Sequence, residues 1–246
     1  MNKSYIPPII HYCWFGKKEK PDDVKEYIQG WKDILQDFDF IEWNEDNFPI
    51  DYNRYTLQAY KSKKYAFVSD VARLYALNKY GGFYLDTDVE LRKTLTNFCD
   101  NSSAIFAFES ETQVMTGFLA APPNHMLIKQ FLDMYRSASF INEDGTLDVT
   151  PNTDRLTKLL VEKGLKFGCG YQKINDDIEV YPMEIFGAYD VDNSCFVIND
   201  ETVLVHHCVS SWMPVSYRFK DHLKRFVAKI IGRDRVKKIR DFLRNR

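Results

Sequence analysis

A helical stripe that runs into two glycines, a short apolar strand and two spaced aspartates constrains this chain most. Phe67, Val71, Leu74 and Leu77 recur at helical spacing and predict a helix from about Lys64 to Tyr80. Gly81-Gly82 ends it, Phe83-Tyr84-Leu85 reads as a strand, and Asp86-Thr87-Asp88 stands at the strand's end. An apolar stripe delivered straight into a strand must be buried against a sheet, so the stretch predicts α/β layering.

The flanking pattern extends that architecture. Residues 8–14 read as a first strand, ended by Gly16 and the charged run after it. Asp22 or Asp23 is placed to cap a helix from about Val24 to Leu35, and residues 38–43 form a second strand. Strand–helix–strand is the opening of a parallel sheet. Further strands are predicted at 104–108, 116–121, 179–182 and 202–207, and helices at 126–137 and 153–164. The 246 residues suffice for one such domain with its own core. Aromatic residues make up 15% of the chain; most belong to the core, and a minority suit a site for flat bases and sugars.

Charge divides the chain. Residues 216–246 hold twelve Lys/Arg and three Asp/Glu, a net +9, which leaves −11 on residues 1–215. In the tail, Phe219, Leu223, Phe226, Val227 and Ile230 make one apolar face; Gly232 interrupts it, Asp234 is placed to cap a restart, and Val236, Ile239 and Leu243 continue it. The expected organisation is a catalytic domain over 1–215 and a basic amphipathic helical tail over 216–246, suited to an anionic membrane surface. The alternative is that the tail packs on the domain or on a partner chain. The acidic body offers no basic face for nucleic acid.

The cysteines (Cys13, Cys99, Cys169, Cys195 and Cys208) are odd in number and lack CxxC spacing, so neither a disulfide framework nor a zinc knuckle is implied. The apolar run near the start is short and broken by Pro7 and Pro8, unlike a signal peptide. No segment approaches the ~18 apolar residues of a membrane span. The expected location is the cytoplasm, peripheral on the inner face of the cell membrane.

Chemistry concentrates at the two aspartates. Hard divalent cations such as Mg²⁺ and Mn²⁺ seek carboxylate oxygens and bring phosphates with them. A turn after the strand would let Asp88 face a metal while Asp86 reaches a ribose or sugar hydroxyl. Asp70 and Arg73, three apart, share one helix face, either as an ordinary ion pair or as a couple fixed for hydroxyls and phosphate. Gly81-Gly82 would let the backbone pass close to a ligand, although a helix C-cap explains them too.

The spaced run Ser69, Asp70, Arg73, Leu77, Gly81, Gly82, Tyr84, Asp86, Asp88 resembles the sugar-binding region of glycosyltransferase family 32, the DXD sugar-binding enzymes. Capsular-polysaccharide transferases and fungal mannosyltransferases belong to that family, and the catalytic core of clostridial glucosylating toxins carries a similar run. Residues 6–16 resemble the family's first strand, which implies that Trp14 stacks on the donor base. Residues 206–212 resemble its late H-x-x-x-S-W segment. That likeness implies His206, or alternatively His207, as a metal ligand beside Asp88, with Ser211 and Trp212 on the donor diphosphate.

The resemblance implies a GT-A fold and a metal-dependent transferase that retains anomeric configuration. Mn²⁺ or Mg²⁺ would be held by Asp88 and His206. Asp70, Arg73 and Asp86 would grip ribose and sugar hydroxyls, with Gly82 and Tyr84 also at the donor. A hexose or N-acetylhexosamine would move from a nucleotide sugar, UDP-linked by family breadth rather than GDP-mannose, to a glycan acceptor. A lipid-linked oligosaccharide of capsule or cell-surface synthesis is the expected acceptor. No carboxylate pair stands out as the nucleophile and acid/base of a retaining hydrolase. Glu109 and Glu111 are placed near the acceptor or simply solvated. The rival readings are a toxin-like protein glycosyltransferase, a D-x-D phosphatase and an inactive nucleotide-sugar-binding protein.

Overall fold

The structure is a computed structural model and describes residues 4–168, 170–209 and, in the tail, 224, 228, 230–232, 235–238 and 240. The strands are β1 (Ile9–Cys13), β2 (Asp39–Trp43), β3 (Gly82–Leu85), β4 (Val89–Leu91), β5 (Ala104–Ala107), β6 (Phe118–Ala121), β7 (Gln172–Ile174), β8 (Ile178–Tyr181), β9 (Phe186–Gly187), β10 (Tyr189–Asp190), β11 (Cys195–Phe196) and β12 (Leu204–His206). The helices are α1 (Asp22–Ile34), α2 (Arg54–Lys61), α3 (Tyr65–Tyr80), α4 (Met126–Asp133) and α5 (Asn152–Glu162).

Seven strands form one mixed sheet in the order β2-β1-β3-β6-β5-β8-β7. The opening β1–α1–β2 unit is parallel, as expected, and β3 pairs parallel to β1. The antiparallel β6 lies between β3 and β5, so β3 and β5 run in the same direction and end at the same edge. A second small sheet, β4-β12-β9, stands beside that edge. Apolar side chains bury both faces of the large sheet. One cluster gathers α2 to α5, and the other gathers α1 and the small sheet.

α3 is more deeply placed than its single stripe implied. Val68, Ala72 and Ala76 are buried along with Phe67, Val71, Leu74 and Leu77. The helix is covered by β1 and β3 on one side and by α2 and α4 on the other, so small apolar residues fill the faces between. α2 escapes the period argument because it is so short. Its start is written in the Asn53–Thr56 pair, where each side chain accepts the other's backbone N–H.

Three local expectations need correction. Neither Asp22 nor Asp23 is the cap of α1: Pro21 takes that position, and the aspartates lie in the first turn, where the helix dipole favours carboxylates. α4 stops at Asp133 rather than continuing to residue 137. Gly81 and Gly82 serve packing. Both have positive φ (66° and 100°), and a Cβ on Gly82 would stand 2.6 Å from the Ile9 carbonyl. The adjoining Gly81 carbonyl accepts from His11 Nε2 (2.8 Å), while His11 Nδ1 accepts from Trp43 Nε1 (3.1 Å). A carbonyl can only accept and an indole can only donate, so His11 is the neutral Nε2–H tautomer.

In the tail, the described residues 224, 228, 230, 231, 235–238 and 240 are helical, and Gly232 breaks them as expected. Ala228 is buried and Ile230 exposed. Lys237 and Arg240 form ion pairs with Glu111, and Arg240 also reaches Asp192. Ser211, Trp212, Phe219, Leu223, Phe226, Val227, Asp234, Ile239, Leu243 and Cys169 lie outside the described residues.

Candidate active site

The site forms where β3 ends. Asp86 to Val89 make a tight turn, with the Val89 N–H donating to the Asp86 carbonyl (3.1 Å), and β4 starts at once. β12 pairs antiparallel to β4 and puts His206 opposite Val89. Strand alternation then decides between the neighbouring histidines. His206 faces the turn, with Nε2 3.2 Å from Asp88 Oδ1 and 4.0 Å from Asp86 Oδ2. His207 faces away, pairs with Glu90 (3.1 Å) and stacks on Tyr27.

Asp86, Asp88 and His206 offer ligand atoms that all lie within 4.8 Å of one another. Two carboxylates and one imidazole suit a divalent ion that accepts oxygen and nitrogen together, and their two negative charges match it. Burial alone would raise the Asp88 carboxyl, but His206 and the Val209 N–H (2.8 Å) hold it down at about 2. It therefore stays ionised at any ordinary pH.

Two backbone features make room for this group. The Asp86 N–H donates to the Gly117 carbonyl (2.8 Å), which locks the turn to the residue before β6. A Cβ on Gly117 would stand 2.6 Å from His206 Cε1 and 3.0 Å from Nε2. The imidazole thus occupies the space that any other residue at 117 would fill. Gly117 falls on the strand predicted over 116–121, and nothing local in the sequence marks its contact with residue 206.

Arg73 organises the other side. It is buried, and its guanidinium lies over the Tyr84 ring at 4.6 Å. Nε donates to the Ser69 carbonyl (3.2 Å) and Nη1 to the Thr116 carbonyl (2.6 Å). Nη2 reaches Asp70 (3.0 Å) and Asp86 (3.4 Å). The expected Asp70–Arg73 pair is therefore part of a node that fixes Asp86, not an ordinary surface pair. Burial pushes the Asp70 carboxyl up to about 6 against the pull of Arg73. The Tyr84 hydroxyl donates to Asp86 Oδ1 (2.8 Å), and Tyr84 is too buried to meet a ligand itself, so it acts through Asp86.

The remaining expected residues are spread out. Trp14 is half-buried just past β1, with its Nε1 donating to the Lys18 carbonyl (2.6 Å). Gly82 begins β3, the end remote from Asp86, and is closed against β1. The structure thus brings Asp70, Arg73, Tyr84, Asp86, Asp88 and His206 together and leaves Gly82 apart.

Residues 21–105 match the family model described as glycosyltransferase sugar-binding region containing DXD motif. This stretch is a glycosyltransferase DXD region. The chain is 27% identical to an uncharacterized glycosyltransferase of Acanthamoeba polyphaga mimivirus over 85% of this chain and 84% of that one. It is 33% identical to inositol phosphoceramide mannosyltransferase 3 of Schizosaccharomyces pombe (strain 972 / ATCC 24843), over 37% of this chain and 26% of the yeast protein. The solved PaToxG glycosyltransferase superposes with a TM-score of 0.53 at 18% identity, over 65% of this chain and 71% of that one. The fold is the GT-A type expected. The family match ends at residue 105, so His206 joins the DXD aspartates from beyond it.

Proposed function

We propose that this transferase moves a hexose or N-acetylhexosamine from a UDP-sugar to a membrane-borne glycan, with retention and with dependence on Mn²⁺ or Mg²⁺. The observation that carries the proposal is the convergence of Asp86, Asp88 and His206 beside the buried Arg73 node. A divalent ion held by these three side chains supplies positive charge for the departing diphosphate. Arg73 keeps the Asp86 carboxylate turned towards that ion while Asp70, partly open to the cleft, accepts from sugar hydroxyls. The donor's anomeric carbon is thereby fixed for attack on one face. Trp14, past the adjacent end of β1, offers its indole to the base.

A membrane-borne acceptor agrees with the name of the yeast relative, an inositol phosphoceramide mannosyltransferase, and with the basic tail. Two tail cations, Lys237 and Arg240, are engaged by Glu111 and Asp192, while Lys224, Arg235 and Lys238 are exposed and would be the ones to meet lipid. The enzyme would then work peripherally on the cytoplasmic face. Flotation with anionic liposomes, comparing the full chain with one ending near residue 215, tests this part. Equal flotation would remove it.

Screening UDP-glucose, UDP-galactose, UDP-N-acetylglucosamine and GDP-mannose for Mn²⁺-dependent hydrolysis tests the rest. One UDP-sugar should be hydrolysed, EDTA should stop it, and Asp88→Asn should abolish it while the protein stays folded. Hydrolysis that ignores EDTA, or survives in Asp88→Asn, would refute the metal role. GDP-mannose as sole substrate would correct the donor.

A further inference from the structure

We infer that Glu109 holds the acceptor's attacking hydroxyl, a role that rests on the donor reading above and adds the nucleophile to it. β3 and β5 end at the same edge of the sheet, with β6 between them. Asp86 follows β3, Gly117 precedes β6, and Glu109 stands just past β5. At the usual strand spacing, the ends of β3 and β5 lie roughly 10 Å apart, with the His206 imidazole over Gly117 between them, so a sugar hydroxyl and a reacting carbon held outside that ring would bridge Asp86 and Glu109.

The backbone of Glu109 is fixed from both directions. Its N–H donates to the Gln113 carbonyl (2.9 Å), and its carbonyl accepts from Val191 N–H (3.3 Å). Its carboxylate feels the charges of His206, Asp154, Asp192 and Asp86. The other acids at this rim are engaged: Glu111 by Lys237 and Arg240, Asp192 by Arg240, and Asp154 by Gln113 Nε2 (2.5 Å). Among the described residues, no hydrogen bond or close ion pair reaches the Glu109 side chain, which is half-buried, and His206 is the one cation acting on it. Burial pushes it up to about 7, with His206 pulling the other way. A desolvated carboxylate without a partner is unfavourable for folding and is satisfied by a ligand that donates.

Glu109 is not one of the three side chains whose ligand atoms cluster for a metal. A carboxylate only accepts, and a sugar hydroxyl is the donor that complements it. In the reaction, the hydroxyl passes its proton to Glu109 as its oxygen bonds to the anomeric carbon. The bond from that carbon to the phosphate oxygen breaks, and Glu109 then gives the proton up to the departing diphosphate. Glu109 aligns the nucleophile and ends unchanged.

The test uses water as the nucleophile and whichever of the four sugar nucleotides the full-length wild type hydrolyses fastest. Glu109→Gln should lower kcat about 100-fold, leaving donor KM, Mn²⁺ affinity and melting temperature unchanged. Glu109→Asp, which keeps the carboxylate, should recover part of the loss. Glu111→Gln, altering an acid already engaged by the tail, should leave hydrolysis unchanged. A Glu109→Gln enzyme as fast as wild type, an equal fall in Glu111→Gln, or weaker Mn²⁺ binding in Glu109→Gln would each overturn the assignment. A wild type inert towards every donor would instead refute the parent reading, and this one with it.

Discussion

β3 carries a buried polar cluster at each end, and the two differ in kind. At its start, His11 joins the Gly81 carbonyl and the Trp43 indole in a neutral network with both ring nitrogens satisfied. At its end, one guanidinium faces Asp70 and Asp86, with Asp88 and His206 beyond, and the carboxylates outnumber the fixed cation. The first cluster is complete within the chain and holds strands together. The second is left with more carboxylates than its guanidinium can balance, and the proposed divalent ion and sugar hydroxyls would complete it. Completeness of hydrogen bonding and charge, rather than burial, separates structural from ligand-binding polarity here.

Three substitutions sharpen or break this contrast, from the largest expected effect to the smallest. Arg73→Met removes the guanidinium from two partly buried carboxylates and two carbonyls. It should lower unfolding free energy by about 3–5 kcal/mol at pH 7, read by urea denaturation. A loss no larger than that of an ordinary surface pair would show that the node does not support the site end.

Gly117→Ala tests the other half of the site. Gly117 has an ordinary φ, so alanine meets no backbone strain, but its Cβ must displace the His206 imidazole. Donor hydrolysis should fall by about 100-fold, equivalent to about 2.7 kcal/mol, and Mn²⁺ affinity should fall with it. The melting temperature should move little. Wild-type Mn²⁺ affinity in this variant would remove His206 from the ligand set.

His11→Gln should have the smallest effect, because an amide can donate to Gly81 and accept from Trp43 in turn. About 1 kcal/mol of stability should be lost at pH 7, with KM unchanged. The pH dependence is diagnostic. Burial lowers His11 to about 4 from the 6.5 of the free side chain. Between those values the unfolded chain binds the extra proton, so stability present above pH 6.5 is lost as pH falls towards 4. Glutamine does not titrate. The gap between wild type and variant should therefore close below pH 7 and reverse by pH 5, and a gap that widens in the wild type's favour would contradict the neutral histidine.

Much of this was legible without coordinates. The α3–Gly–Gly–β3–DXD run announces helix, stop, strand and carboxylates through local periodicity and spacing. Asp70 with Arg73 is readable because three residues along a helix bring side chains together. The choice between His206 and His207 was not readable, since either register of a short strand satisfies the same local pattern. Gly117 was obscure for another reason: its partner is distant in sequence, and a glycine carries no local signature of what it faces, while Glu109 could be named beside Glu111 but not told from it.

The sequence by itself determined the α/β class, the position of the metal-seeking aspartates and the pairing within α3, because these follow from residues near one another along the chain. Tertiary structure alone decided which histidine joins the aspartates and why residue 117 must lack a side chain. Those outcomes depend on strand order and register, which set distances between segments that no local period encodes.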